Sequence, residues 1–304
     1  MKGMKAFKKS KIVYHCCYLI FAFLFLPQAN ATINIVAAEN IYGNIAKELG
    51  GPYVNVTSIL NNPSQDPHLF TTTPSIAQAV SHADIVIYNG ADYDPWMKSL
   101  LAVEDQPKSS ILNVASLMKI KTGDNPHIWY LPTTIPFFAK TLVMTFIQYD
   151  PQHRSYYEKQ LNQFTQSYQI IFKTIAQLNR QYKNKPIIAT EPIFNYMAES
   201  IGLQIHGKDF QINMMNDVPP TISQIKAFED DLYHHNVEVL IYNEQVINPL
   251  TEHLRSLAEK EHIPVVGVNE MMPANMTYIH WMMQELTDLG NALANHSKDL
   301  NNNA

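Results

Sequence analysis

Apolar runs with a two-residue period alternate along this chain with runs that repeat every three or four residues. Residues 33–37 read as a strand, 41–49 as a helix and 54–60 as a second strand. A helix at 75–81, a buried strand at 84–88 closing on Asn89-Gly90, a helix through Trp96 and Leu101 and a strand at 111–114 complete a first set. The second half repeats the theme, with strands at 186–189, 203–205, 237–242 and 264–268 separated by helical stretches. Such alternation implies parallel sheets covered by helices, hence an α/β fold.

A different segment lies between the halves. From Asp150-Pro151 to Tyr182 the chain carries no glycine and no further proline. Asp150 is placed to cap a helix and Pro151 to occupy its first position. Tyr157, Leu161, Phe164, Tyr168, Ile171, Ile175 and Leu178 keep spacings of three or four, as one buried stripe does. Some 30 helical residues span roughly 45 Å. An ordinary packed helix fits this stripe, and so does a rigid spine. The reading adopted is two lobes, residues 32–150 and 183–304, joined by a linking helix over 151–182. The tail after Ala294 is expected to fray.

The first 31 of the 304 residues stand apart. Lys2, Lys5, Lys8, Lys9 and Lys11 precede an apolar run at 18–26, and Ala29-Asn30-Ala31 follows with the small-x-small pattern of a signal-peptidase site. Cleavage is expected after Ala31, giving an exported, periplasmic protein; the apolar run is short for a membrane span. Cys16 and Cys17 precede that run, where a lipid-bearing cysteine would follow it. Without this segment 17 Lys and Arg face 27 Asp and Glu, a net charge of −10. That balance excludes the phosphate-neutralising patch that nucleic acid requires. Both cysteines leave with the leader, so any metal must be held by nitrogen and oxygen.

Two short runs carry the chemistry, Asp66-Pro67-His68 and Asn125-Pro126-His127. Proline fixes its own φ and holds the preceding residue extended, so each imidazole stands on a stiff turn. Imidazole nitrogen is a common ligand of first-row divalent ions. Ligands of open parallel sheets bind beyond the carboxyl ends of the strands. His68 follows the strand ending at Leu60, Glu191 follows Ile187-Ile188-Ala189-Thr190, and Glu270 follows Val265-Val266-Gly267-Val268-Asn269. His127 follows the turn at 123–126. All four fit a cleft between the lobes, two from each. Spacing alone also admits turn histidines bonded to backbone, a helix N-terminal acid at Glu191 and an exposed loop acid at Glu270. Glu39, also at a strand end, is a candidate supporting or substitute ligand. Asp66 and Asp124 are placed to orient the neighbouring histidines, or to cap turns. The other histidines read as surface groups, with His153 and His296 exposed and His15 in the leader.

The chain resembles the metal-binding subunits of bacterial ABC importers for zinc and manganese, the cluster 9 solute-binding proteins. The matching stretches are Ala37-Ala38-Glu39-Asn40-Ile41-Tyr42-Gly43, the two Pro-His turns with Ile128-Trp129-Tyr130, Ala83-Asp84 through Asn89-Gly90, Thr190-Glu191-Pro192-Ile193-Phe194, Tyr242-Asn243 and Pro264-Val265-Val266-Gly267-Val268. The resemblance implies two α/β lobes joined by one long helix with a divalent ion between them, held by His68, His127, Glu191 and Glu270. It departs from the family pattern at Glu191, where histidine is frequent, and at Glu270, where aspartate is usual. It also lacks a histidine-rich loop before His127, where only residues 119–124 stand. Two imidazoles and two carboxylates suit Mn²⁺ if a carboxylate binds through both oxygens, yet Zn²⁺ accepts the same set.

The expected function is therefore capture of Zn²⁺ or Mn²⁺ as transported cargo and delivery to a membrane permease driven by a cytoplasmic ATPase, by a monomer with no catalytic residues and no resident cofactor. The chain has no phosphate-binding glycine loop and no nucleophile elbow. The alternatives are a metal-dependent hydrolase with an open coordination position, and a surface adhesin of the same family.

Overall fold

Two four-stranded parallel sheets organise the computed structural model, which describes residues 32–62, 70–102 and 109–302. The expected leader at 1–31, the first Pro-His turn with Asp66 and His68, and the His296 side chain lie outside the described residues.

The first sheet is built from β1 (Ile33–Glu39), β2 (Val54–Leu60), β3 (Ile85–Tyr88) and β4 (Ser110–Asn113), in the order β2-β1-β3-β4. Between these strands run α1 (Asn40–Gly50), α2 (Pro74–Ser81) and α3 (Pro95–Leu101). α2 starts where Pro74 takes the first position and the Thr73 hydroxyl accepts from the Ile76 amide. The fourth strand ends one residue earlier than expected. Asn113 accepts from the Ser116 amide and thereby caps α4 (Val114–Met118), taking Val114 out of the sheet.

Between the sheets stand α5 (Thr134–Tyr149) and α6 (Arg154–Tyr182). α5 is not among the expected helices. Its buried Ile135, Phe138, Ala139, Leu142, Val143 and Phe146 keep spacings of three and four, but the apolar Phe137 and Met144 lie exposed beside them and blur the period. α6 is the expected long helix, and six of the seven stripe residues are buried, Leu161 only partly. Its start differs. Residues Pro151–His153 form a 3₁₀ turn, and Asp150 caps no backbone amide; its carboxylate holds the His153 Nδ1 at 2.6 Å and the Tyr157 hydroxyl at 2.8 Å. His153 is accordingly not an open surface group, because its ring also stacks on Tyr53.

The second sheet has the order β6-β5-β7-β8, from β5 (Pro186–Ala189), β6 (Gln204–His206), β7 (Leu240–Asn243) and β8 (Val265–Val268). Its helices are α7 (Asn195–Ile201), α8 (Lys208–Met215), α9 (Ile222–Tyr233), α10 (Pro249–Lys260) and α11 (Tyr278–Asn302). α11 continues past Ala294, where the polar tail was expected to fray.

Side chains alternate between sheet faces along each strand. Ile35, Ala37, Ile85 and Ile87 of the first sheet join Ile187, Ala189, Val239 and Ile241 of the second half in one continuous core under α5, α6 and α11. The opposite faces close separately, with Val36, Val86 and Met97 in one cluster and Ile188, Leu240 and Phe228 in another. Contacts knit residues 33–304 into one unit. Among the described residues no helix is long and apolar enough to cross a membrane.

Candidate metal centre

In both sheets the central strands run to opposite sides after a switch in direction, β1 against β3 and β5 against β7. Such a switch opens a crevice at the carboxyl ends of the strands. Glu39 ends β1, Glu191 follows β5, Asn243 ends β7 and Glu270 lies just beyond β8. These ends and the His127 loop meet in the interior: relative exposure is 0% for Glu39 and Glu270, 1% for His127 and 3% for Glu191. Glu270 is thus not an exposed loop acid, and Glu191 makes no capping bond to the 3₁₀ turn Pro192–Phe194 that it precedes.

The imidazole is aimed by its neighbour two residues back. Asn125 Oδ1 lies 3.0 Å from the His127 amide and 2.7 Å from its Nδ1, while the Asn125 amide nitrogen donates to the Pro192 carbonyl at 2.7 Å. An oxygen can only accept, so Nδ1 donates to it and Nε2 is the ring nitrogen left to ligate. Nε2 stands 3.9 Å from Glu270 Oε2. The orienting residue is therefore Asn125. Asp124, the sequence candidate, instead accepts from the Lys121 amide and closes its own turn.

The two carboxylates are held by an amide. Asn243 Nδ2 donates to Glu191 Oε2 at 2.9 Å and to Glu270 Oε1 at 2.6 Å. Its own oxygen is fixed by the Gln245 amide at 3.0 Å. Tyr93 donates to Glu270 Oε2 at 2.9 Å. Burial first, and the charge of Glu270 second, hold the Tyr93 phenol well above its ordinary range, so it remains a donor. Gln245 Oε1 accepts from the backbone amides of Glu270 and Met271 at 2.6 and 2.9 Å.

Glu39 lies buried beside Asp94. Burial, then the Asp94 charge, pushes the Glu39 carboxyl well above the usual range. Asp94 in turn accepts from the Asn89 and Gly90 amides at 2.7 and 2.9 Å, and the Asn89 side chain donates to Pro126 O at 2.9 Å. Asp94 thus braces the turn at Asn89-Gly90, and Asn89 ties that turn to the one that carries His127.

Among the described residues no three His, Cys, Asp or Glu side chains form a ready-made metal cluster. The Asn243 amide stands between the two carboxylates, and His68 is outside the described residues. The donors present, one buried imidazole and two buried carboxylates with no thiolate, fit a borderline to hard divalent ion.

The sequence reading missed Tyr93, Asn125, Asn243 and Gln245. One signal was available for Asn243. Ile35-Val36-Ala37-Ala38-Glu39 and Ile87-Tyr88-Asn89 recur as Ile187-Ile188-Ala189-Thr190-Glu191 and Ile241-Tyr242-Asn243, at the matching strands of sheets with the same order. Glu39 and Asn89 therefore mark Glu191 and Asn243 as a pair.

Residues 35–292 match the family model described as zinc-uptake complex component A, periplasmic. The metal ABC transporter substrate-binding lipoprotein SloC of Streptococcus mutans is 25% identical over 259 residues, covering 79% of this chain and 82% of that protein. The manganese ABC transporter substrate-binding lipoprotein PsaA of Streptococcus anginosus is 23% identical over 248 residues, covering 77% and 78%. The fold is similar to that of the periplasmic zinc binding protein TroA from Treponema pallidum, with a TM-score of 0.73 at 13% identity over 86% of this chain and 99% of that one.

Proposed function

The chain belongs to the family of periplasmic zinc-uptake component A, and on that premise we propose that it captures a divalent transition-metal ion, zinc or manganese, and hands it to the membrane permease of an ABC importer. The family is a binding component of an uptake complex and not an enzyme. The hydrolase and adhesin readings are accordingly not favoured.

The ligand set proposed is His68, His127, Glu191 and Glu270. The observation that carries it is the approach of His127 Nε2, from the first lobe, to within 3.9 Å of Glu270 Oε2, from the second, with both side chains buried. An imidazole lone pair beside a carboxylate in a water-poor cleft gives two donors for a cation and little competition from solvent. His68, outside the described residues, is the fourth donor proposed. Because imidazole and carboxylate must both be deprotonated to ligate, binding weakens as pH falls.

The division at residues 150 and 183, with the linking helix between, serves this reading by giving each lobe its own share of ligands. Export by a cleaved leader ending at Ala31 fits a periplasmic family. The relatives named above are lipoproteins, whereas both cysteines of this chain, Cys16 and Cys17, precede the apolar run. A single chain supplies all four proposed ligands, so a monomer suffices. Competitive titration of the metal-free protein with Zn²⁺ and Mn²⁺, repeated on His68→Ala, His127→Ala and Glu191→Ala, tests the assignment. Each variant is expected to bind at least tenfold more weakly; unchanged affinity in all three overturns it.

A further inference from the structure

We propose that Gln245 is the positioning residue for Glu270: reaching in from the loop after β7, it fixes the backbone on which that carboxylate stands, and so sets how tightly the site holds its cation. The inference rests on Glu270 as a ligand and deepens that reading.

Glu270 stands on a stretch with no regular structure of its own. β8 ends at Val268 and α11 begins at Tyr278, so the amides between them need partners outside any ladder. The loop after β7 supplies several. Glu244 N donates to Val268 O at 3.0 Å and extends the β7–β8 pairing past Asn243. The Glu244 carboxylate accepts from Asn269 Nδ2 at 2.8 Å, lying across Gly267, where a Cβ would come within 2.7 Å of Glu244 Cδ. Gln245 takes the next two positions. Its Oε1 accepts from the amides of both Glu270, at 2.6 Å, and Met271, at 2.9 Å. A carbonyl oxygen has two lone pairs, and here they hold two successive peptides.

The far side of the stretch is held by the first lobe, where Asn40 exchanges two bonds with the backbone of Met272, at 2.7 and 3.2 Å. Glu270 therefore lies between two anchors, and Gln245 is the one that grips its own peptide. From that backbone the carboxylate reaches the Tyr93 hydroxyl and the Asn243 amide. The grip comes from outside. Gln245 is half-buried and Ile247, two residues on, is 63% exposed, whereas Glu270 is 0% exposed. A surface loop thus controls a ligand in the interior, through a residue outside the proposed ligand set.

A positioning residue of this kind is separated from a merely structural one by coupling and by rescue. Purified metal-free protein is titrated with Zn²⁺ and with Mn²⁺ against a chromophoric chelator, and release from the loaded protein is timed in excess chelator. Gln245→Met keeps the length and removes the acceptor; it is expected to weaken both ions about tenfold, with faster release. Gln245→Glu keeps an oxygen for the two amides and is expected to bind within about threefold of wild type. Gln245→Asn, one methylene shorter, is expected to fall with the methionine variant and serves if that variant does not fold. In a Glu270→Ala background, Gln245→Met is expected to change affinity by no more than about twofold, because the group it acts through is gone. A full loss in that background, a glutamate variant as weak as the methionine one, or wild-type affinity in both Gln245→Met and Gln245→Asn overturns the proposal and leaves metal capture standing. Unchanged affinity in Glu270→Ala alone removes Glu270 from the ligand set, and the proposal with it. A wild-type protein that binds neither ion overturns metal capture as well.

Discussion

Tyr93, on the loop after β3, donates its hydroxyl proton to Glu270, beyond β8, at 2.9 Å, and so bonds the two lobes to each other inside the proposed site. The tyrosine is 5% exposed and the glutamate 0%. A second tie lies on the same loop, where Asn40 exchanges two bonds with the backbone of Met272, at 2.7 and 3.2 Å.

Removing that hydroxyl has a defined cost. A hydrogen bond to a charged group contributes about 1.5–3 kcal/mol, and a buried acceptor left without its donor adds desolvation on top. Tyr93→Phe keeps the ring and is expected to lower the stability of the metal-free protein by about 1.5–3 kcal/mol in urea denaturation. A loss below about 0.5 kcal/mol would show that the bond does not restrain the free protein.

The aim of His127 depends on Asn125, which accepts from Nδ1 at 2.7 Å and anchors to Pro192 O across the cleft. Partners of this kind, when lost, weaken metal binding about 10–100-fold by freeing ring orientation and tautomer. Asn125→Ala is therefore expected to weaken Zn²⁺ and Mn²⁺ together, with little change in their ratio. Chelator competition measures both, and a selective loss of one ion contradicts this account.

What could be read from the sequence, and what could not, follows from how each signal arises. β2 and β5 stand at the residues expected because apolar runs flanked by turns report burial directly. α5 escaped because apolar residues on its exposed side, Phe137 and Met144, blur the period of its buried stripe. Asp150 looked like a cap since the residue type and the following proline fit, yet its carboxylate satisfies His153 and Tyr157 instead. At the site, His127, Glu191 and Glu270 announce themselves as metal-type side chains at loops and strand ends. The residues that hold them do not. Asparagine side chains bond their own backbone two residues on, so Asn125 reads as an ordinary turn former although the same oxygen also fixes the imidazole. Asn243 bridges two carboxylates that are 79 positions apart in sequence, and only the repeat of the first lobe in the second hints at it.

The continuous core limits motion. Large hinge closure needs lobes with separate cores joined by a few flexible residues. Here Ile35 and Ile87 of the first lobe and Ile187 and Ile241 of the second belong to one cluster, with Tyr168 and Ile171 of α6 buried in it. Metal binding is expected to leave the radius of gyration unchanged within error in small-angle scattering, with shifts confined to the loops around His127 and Glu270. A clear compaction on adding Zn²⁺ contradicts this.

A buried acid behind the site predicts how stability responds to alkali. Glu285, on α11, is 5% exposed; its Oε1 lies 2.9 Å from the Tyr130 hydroxyl, which is also 2.7 Å from Asn269 O, next to Glu270. Burial is the main cause that pushes its carboxyl up to about 8. The folded protein therefore keeps a proton on Glu285 that the unfolded chain, with an ordinary carboxyl near 4.5, gives up. The stabilisation is fully present below that lower value and is lost as pH rises through the upper one, by at most about 1.4 kcal/mol per pH unit for this single proton. Glutamine is neutral at every pH and keeps an oxygen for Tyr130. Glu285→Gln is thus expected to match wild type near pH 5 and to gain on it steadily up to pH 8, with the difference levelling off above. Thermal denaturation of both proteins without metal, across pH 5–9, measures the divergence; parallel curves would place the proton elsewhere.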